Sequence, residues 1–228
     1  MSVKNRNSVV TDGLVFYVDA GNEDSYAGSG TTWNDMISGN VGTLYNGPTF
    51  DSANGGSIDF DGSNDRTDFP SDSSFKPTGS MTLLVWAKGE STGSIGIIGV
   101  IGPGGDRGYF IGCNNTKFRF TIASGADSLV DAEAAHTDTT SAPFMLTGVY
   151  SASTHLKLYK NTSEIASNTT SIPATQYVGT KPLQIGNRGD SLANAHWNGN
   201  VYCAMIYNKA LSADEILQNY NALKNRFI

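Results

Sequence analysis

Apolar and polar side chains alternate with a period of two in several segments, and this pattern constrains the fold more than any other feature of the sequence. The segment Lys117–Ile122, with the sequence KFRFTI, places three apolar side chains on one face of an extended chain and three polar ones on the other. The segments His155–Tyr159 and Ile58–Asp61 alternate in the same way. This period predicts β-strands with one face buried and the other turned to solvent.

Three further runs are apolar on both faces, as is typical of strands that are covered on both sides. They are Leu14–Val18, Met81–Ala87 and Ile95–Ile101. Glycine, with 26 residues in a chain of 228, supplies frequent turn signals between the runs. We count about twelve strand candidates, and no helical segments separate them as parallel strands would require. The pattern therefore predicts an all-β fold, either a two-sheet antiparallel sandwich or a barrel.

One helix is predicted near the C-terminus. Ser212 and Glu215 have the spacing of a capping box, in which each side chain accepts a hydrogen bond from the backbone N–H of the other residue. Apolar residues then recur at helical spacing, at Ile216, Leu217, Tyr220 and Leu223. A single amphipathic helix of this kind must dock against the sandwich to be stable.

The chain shows no internal repeat and no linker, and all-β sandwiches reach about 200–250 residues as one unit. We therefore predict a single domain over residues 12–228. Residues 1–11 are mostly polar and lack periodicity, which predicts a flexible N-terminal arm that orders on a partner or stays frayed.

The charge of the chain excludes some partners. A net charge of −6 without clustered Lys and Arg argues against nucleic acid, because binding to phosphates requires such clusters. No apolar run is long enough to span a bilayer, so membrane insertion is not expected. The first residues lack the apolar stretch of a secretory signal peptide, from which we expect synthesis in a cytoplasm without export by the general pathway.

Three groups of segments follow one another in a recognisable order. They are Gly13–Gly21 with Thr32–Asp35, then Gly56–Asp65 with Val85–Ala87, and finally Leu183–Gly186, Trp197–Val201 and Ile206–Ser212. Their order and spacing resemble the concanavalin A-like lectin/glucanase superfamily in its laminin-G-like branch. The resemblance implies two antiparallel sheets in a jelly-roll sandwich, with loops at one rim of a concave face and one short C-terminal helix.

The chain looks most similar to single-domain versions carried by tailed bacteriophages, on the basis of Asp19–Asn22, the Trp33 segment and the short C-terminal helix. This implies a non-catalytic virion protein, made in the host cytoplasm, that decorates a capsid or forms part of a tail or fibre. Its partners would be other virion proteins, host cell-surface glycans and, as a homo-oligomer, further copies of itself. The alternatives are a free-standing carbohydrate-binding lectin, with or without calcium, and a less favoured glycoside hydrolase, because one fold hosts many functions.

The glutamates argue against hydrolysis. The glucanase members of the superfamily carry two Glu and one Asp at alternating positions of one strand, and the chemistry requires two carboxylates about 5–10 Å apart. The chain has five glutamates, none of which has a second glutamate within four residues, and the capping box explains Glu215. We therefore predict no catalytic residues and no enzyme activity.

Five oxygen-bearing side chains occur in one short stretch, as Ca²⁺ ligands often do. They are Asp59, Asp61, Asn64, Asp65 and Asp68. Laminin-G-like domains often hold Ca²⁺ at a rim loop, so the resemblance implies a calcium site here. The alternative is that these side chains solvate a strand and cap a turn by hydrogen bonding. Where relatives often have an acid in the penultimate strand, this chain has Tyr202 and Cys203, which departs from the metal-site pattern.

Carbohydrate binding would use exposed aromatic rings, whose apolar faces match the C–H-rich faces of sugars. The tryptophans at 33, 86 and 197 lie inside the family-like core motifs, and we predict that they are packed. Three tyrosines near glycine-rich turns are the better candidates for sugar contacts, namely Tyr26, Tyr45 and Tyr109.

Overall fold

The computed structural model describes residues 8–90, 94–114, 116–136, 139–189 and 196–227. Within these ranges the chain forms two eight-stranded sheets and one helix, α1, at Ala213–Phe227. The strands are β1 (Leu14–Asp19), β2 (Thr32–Asn34), β3 (Val41–Tyr45), β4 (Thr49–Asp51), β5 (Ser57–Asp61), β6 (Arg66–Asp68), β7 (Met81–Glu90), β8 (Ser94–Val100), β9 (Tyr109–Asn114), β10 (Lys117–Ala123), β11 (Leu129–Ala135), β12 (Phe144–Ser151), β13 (His155–Lys160), β14 (Ser163–Asn168), β15 (Gln184–Ile185) and β16 (Asn198–Tyr207). Two short 3₁₀ helices occupy Ala53–Gly55 and Ser73–Phe75.

The two sheets pack face to face as an antiparallel sandwich. The first sheet has the order β14-β13-β12-β7-β16-β5-β4, and β1 pairs with β16 beside this path. The second sheet has the order β11-β10-β9-β8-β15-β6-β3-β2. The pairings within both are antiparallel. The predicted two-sheet sandwich with one C-terminal helix is therefore confirmed.

The core between the sheets has the side chains that the period of two predicts. The three apolar side chains of Lys117–Ile122 are at most 1% exposed and lie between the sheets, whereas Lys117 faces solvent. Trp33 and Trp197 are fully buried in the same core, as predicted. Burial of large apolar side chains on both inner faces supplies the main favourable term in folding.

Helix α1 covers the outer face of the first sheet. Its capping box forms as predicted, since the Glu215 N–H donates to Ser212 Oγ at 3.3 Å and the Ser212 N–H donates to Glu215 Oε2 at 2.8 Å. Trp86 is fully buried beneath the helix, with its ring centroid 5.5 Å from that of Tyr220 and 4.9 Å from that of Phe227. Among the described residues, no helix has the length and apolar character needed to cross a membrane.

Residues 8–11 lie against α1 and the first sheet, which corrects the flexible arm predicted over residues 1–11. Val10 is 6% exposed, and its N–H donates to Asn219 Oδ1 at 2.8 Å. Asn219 Nδ2 donates to the Tyr207 hydroxyl at 3.0 Å, and that hydroxyl donates to Val10 O at 3.1 Å. This closed ring of buried hydrogen bonds makes the segment part of the domain, while residues 1–7 of the predicted arm lie outside the described residues.

Replacing Asn219 by alanine is expected to lower the free energy of unfolding by about 1–3 kcal/mol. The change leaves the buried Val10 N–H without an acceptor, and an unsatisfied buried group costs about this much. Urea denaturation measures the loss. The matched control is Gln218→Ala, which removes one exposed hydrogen bond to Ser8 O and should change the free energy by less than about 0.5 kcal/mol. Equal losses in the two variants would show that Asn219 does not hold the segment.

Candidate functional site

Tyr109 does not present a ring to solvent. Its side chain is fully buried, its hydroxyl donates to Phe75 O, and burial raises the pKa of that hydroxyl. The prediction of an exposed sugar contact at Tyr109 is therefore wrong. The glycine-rich turn at 102–105 lies just before β9, but the first side chain of that strand points into the core.

Tyr26 is also less exposed than predicted, at 3%. Its hydroxyl donates to Gly30 O at 3.0 Å, and its ring centroid lies 5.4 Å from that of Phe50. The prediction of an exposed sugar contact at Tyr26 is therefore wrong, although Tyr26 and Phe50 together line a small pocket.

Tyr45 is the one predicted tyrosine with an exposed side chain, at 41%. The guanidinium of Arg66 lies 4.6 Å from the centroid of its ring, and Arg66 Nε is 3.1 Å from Asp68 Oδ2. Arg66 therefore covers one ring face. Tyr45 stays a predicted sugar contact through its other face.

The five predicted calcium ligands do not converge. Asp59 and Asp61 lie on β5 in the first sheet, whereas Asp68 lies on β6 in the second. The Asp68 carboxylate accepts from Arg66 Nε at 3.1 Å and from Gln184 Nε2 at 2.7 Å. A carboxylate engaged in this way on the opposite sheet cannot join the others around one ion.

Asp61 and Asp65 close the turn between β5 and β6. Asp61 Oδ1 accepts from the Ser63 N–H at 2.8 Å and from the Asn64 N–H at 3.3 Å, and these bonds, chiefly the first, lower the pKa of Asp61. Asp65 Oδ2 accepts from the Asp61 N–H at 3.1 Å. In the described part of the chain, no three His, Cys, Asp or Glu side chains could hold a metal together. Turn capping therefore accounts for Asp61 and for Oδ2 of Asp65, whereas Oδ1 of Asp65 is buried without a hydrogen-bond partner. The geometry favours the turn-capping alternative, and calcium binding stays a prediction.

Adding calcium or EDTA is expected to leave the thermal unfolding midpoint unchanged. A cation that binds only the native state would raise the midpoint by mass action, and the divided acids offer no such site. Thermal unfolding followed by fluorescence, with and without calcium, makes the measurement. A calcium-dependent rise that disappears in Asp61→Asn would contradict this account.

A groove beside the first sheet, which we call the rim groove, lies where β1 ends opposite the middle of β16 and joins three distant parts of the sequence. It has two adjoining compartments that share Gly21 and Glu23. The polar compartment, of about 650 Å³, is also lined by Tyr17, Asp19, Asn22, Asp24 and Arg226. The aromatic compartment, of about 170 Å³, is also lined by Tyr26, Gly28 and Phe50.

Asp19 and Arg226 form the floor of the polar compartment. Asp19 ends β1 and is 2% exposed, while Arg226 projects from the last turn of α1. Arg226 Nη1 and Nη2 donate to the two carboxylate oxygens at 2.5 and 2.8 Å. The Tyr17 hydroxyl donates to Asp19 Oδ2 at 3.0 Å, and the Gly21 N–H donates to Asp19 Oδ1 at 3.1 Å. Four donors satisfy the buried carboxylate, so the pair is a fixed floor and not a free acid or base.

The loop that follows β1 is fixed on both sides. The Asp19 N–H donates to the fully buried Ser25 Oγ at 3.0 Å, and the Ser25 hydroxyl donates to Asn34 O at 2.7 Å. A Cβ placed at Gly21 would lie 1.7 Å from Gly55 O, so only glycine permits this close approach. The loop therefore holds a defined position above the floor.

The aromatic compartment leaves room beside the Phe50 ring. Phe50 is half-buried on β4, and Tyr26 packs against it with an angle of 37° between the two rings. Gly28 adopts a φ of +79°, and a Cβ there would touch only Phe50 Cε1, at 4.0 Å. The ring can therefore receive an apolar, C–H-rich surface from a ligand.

The rim of the groove is acidic. Glu23 and Asp24 are both exposed and form no ion pair with another described residue. Asn22 Oδ1 accepts from the Asp24 N–H at 3.0 Å, which shapes the turn that carries them. Free carboxylates accept hydrogen bonds from ligand hydroxyl groups, so the groove combines hydroxyl acceptors with an aromatic surface.

The fold defines a lectin-like β-sandwich. Residues 61–217, more than half of the chain, match a laminin G family model described as the concanavalin A-like lectin/glucanases superfamily. The chain belongs to this superfamily, as the resemblance implied. No curated protein sequence matches it significantly.

Solved structures share the fold at low sequence identity. Trypanosoma rangeli sialidase in complex with sialic acid matches with a TM-score of 0.70 and 15% identity, over 96% of this chain and 34% of that one. The binding domain of botulinum neurotoxin DC in complex with SialylT matches with a TM-score of 0.70 and 13% identity, over 93% and 52%. The binding domain of Paraclostridial Mosquitocidal Protein 1 matches with a TM-score of 0.70 and 14% identity, over 92% of this chain and 52% of that one. The chain thus spans a third to a half of these structures.

Proposed function

We propose that this chain is a non-catalytic carbohydrate-binding module that attaches a larger assembly to glycans through the rim groove. The observation that carries the proposal is the aromatic surface of Phe50 beside the free carboxylates of Glu23 and Asp24. A sugar ring has an apolar C–H face and hydroxyl edges, and these two compartments offer a partner to each.

The family and the solved structures support this choice. The superfamily is described as containing lectins and glucanases, and two of the matched structures have sialic acid or SialylT as the bound molecule. Those structures are distant, so they support carbohydrate as the ligand class and leave the choice of sugar to the groove itself. A third matched structure is the same neurotoxin binding domain in complex with rat synaptotagmin II. Binding to a protein is therefore the alternative function for a sandwich of this kind.

The groove lacks the arrangement that hydrolysis requires. Asp19 is committed to Arg226, and the remaining acids stand on a solvated rim and not in an apolar pocket of the kind that shields a catalytic acid. We therefore propose binding without turnover. Incubation with oligosaccharides should release no new reducing ends.

A glycan array with multivalent display of the protein tests the proposal. Phe50→Ala should weaken binding at least tenfold, because loss of the ring surface removes about 1.4 kcal/mol or more per site. Tyr45→Ala tests the sugar contact predicted at Tyr45 separately. The matched control is Tyr177→Ala, which removes a 37%-exposed tyrosine that lines neither compartment and should leave binding unchanged. A loss in Tyr45→Ala with none in Phe50→Ala would move the site, and no binding to any glycan would remove the function.

We also propose that the assembly is a bacteriophage virion, in a capsid or tail position. The support is the resemblance carried by Asp19–Asn22 and the C-terminal helix. Weak sites repeated over a particle give high avidity without a deep pocket, which suits an open groove. Mass spectrometry of purified particles tests this part alone, and absence of the chain from virions would remove it.

A further inference from the structure

We infer that the rim groove selects glycans by charge, binding those without anionic groups and rejecting sialylated or uronate-bearing ones. The inference rests on the proposed carbohydrate function and names its ligand class. It runs against the sialic acid and SialylT found in the matched structures, so it does not follow from the likeness of fold.

Positive charge in the groove is already neutralised. Arg226 is the only Lys or Arg among the described lining residues. Both of its Nη atoms donate to Asp19, and Nη2 also donates to Gly55 O at 3.0 Å. These three bonds leave two of the five guanidinium N–H groups for a ligand, but a ligand carboxylate that used them would share a positive charge that Asp19 already balances.

Negative charge remains at the rim. Once Asp19 and Arg226 cancel, Glu23 and Asp24 give the two compartments an excess of two negative charges. A ligand carboxylate beside them meets like-charge repulsion at close range, while a hydroxyl or an ammonium group meets an acceptor. The net charge of −6 on the chain adds a weaker repulsion over longer distances.

The selectivity belongs to this chain and not to the matched family segment. Every residue that defines the rim groove lies outside residues 61–217. The aromatic compartment also distinguishes the groove from a bare acidic patch, since Phe50 supplies an apolar contact that does not depend on charge.

Pairs of glycans that differ by one carboxylate test the inference. Suitable pairs are maltotriose and cellotriose, each with the form oxidised at a terminal C6 to a uronate. Lactose with 3′-sialyllactose serves as a further comparison, in which a whole anionic residue is added. Surface plasmon resonance at low ionic strength should give at least tenfold weaker binding to the anionic member. The difference should shrink in high salt, because ions screen exposed charges. A glucosamine trimer should bind at least as tightly as the neutral sugars.

Removing the rim charge should remove the selectivity. In Glu23→Gln with Asp24→Asn, the anionic glycans should bind within about threefold of the neutral ones, a difference of under about 1 kcal/mol. The control, Glu133→Gln with Asp214→Asn, removes the same charge away from the groove and should keep the tenfold difference. Tighter binding to the anionic members, or a difference untouched by the rim variant, overturns the inference and leaves the proposed function standing. Absence of binding to every glycan overturns both.

Discussion

Replacing Trp86 by alanine is expected to lower the free energy of unfolding by about 3–5 kcal/mol, which is the range for deleting a buried large aromatic side chain. Trp86 is fully buried between the first sheet and α1, where it stacks on Tyr220 at 5.5 Å with 15° between the rings and contacts Phe227 at 4.9 Å. The loss combines the transfer term of the indole with a cavity under the helix. Urea denaturation measures it, and amide hydrogen exchange should show lower protection along α1.

The control for this prediction is Leu217→Ala on the same helix. Leu217 is 44% exposed and faces away from the sheet, so its truncation should change the free energy by less than about 0.5 kcal/mol. The variant Trp86→Phe keeps part of the ring contact and should fall between the two. A loss below about 1 kcal/mol in Trp86→Ala would mean that the helix does not seal the outer face of the sheet.

Replacing Arg226 by methionine is expected to cost about 3–5 kcal/mol, although the aliphatic length of the side chain is kept. The change leaves the Asp19 carboxylate, 2% exposed, without its bidentate partner, and breaking a buried pair from one side costs this much. Because Asp19 is the floor of the rim groove, glycan binding should weaken in the same variant. Chemical denaturation and surface plasmon resonance measure the two effects.

Two variants show whether the cost comes from the buried charge. The double variant Asp19→Asn with Arg226→Met also removes the buried carboxylate charge that Arg226→Met leaves unpaired. It should recover part of the stability that is lost in Arg226→Met alone. Lys224→Met removes one positive charge from the same end of α1 without touching Asp19, and should cost less than about 1 kcal/mol. If Lys224→Met cost as much as Arg226→Met, helix-end electrostatics would explain the effect instead of the pair.

The two sheets and the helix were predictable because short stretches of sequence, each only a few residues long, indicate them. The alternation in Lys117–Ile122 fixed which side chains of β10 enter the core, and Ser212 with Glu215 fixed the start of α1 at Ala213. Strands of two or three residues, such as Thr49–Asp51 and Gln184–Ile185, are too short to show a period. For that reason the sequence indicated about twelve strands, where the described residues contain sixteen.

The site was less predictable because it depends on long-range contacts. Asp19 and Arg226 are 207 residues apart, and nothing near Arg226 in the sequence indicates a partner on β1. Asp19–Asn22 did stand out as a family-like segment, and Tyr26 was a predicted sugar contact that lines the aromatic compartment, so two local signals pointed to the groove. The exposure of Tyr26 and Tyr109 was predicted wrongly from the glycine-rich turns near them. The packing of the loop or strand that carries a side chain decides its exposure, and neighbouring glycines do not.

Nuclear magnetic resonance gives the most direct measurement of where a sugar binds. A ¹⁵N-labelled chain would be titrated with the neutral oligosaccharide that the array ranks highest. We expect the amide shifts to concentrate at Gly21, Glu23 and Gly28, around the rim groove. Shifts that cluster instead at Tyr45 and Arg66 on the second sheet, with the groove amides unmoved, would contradict this expectation.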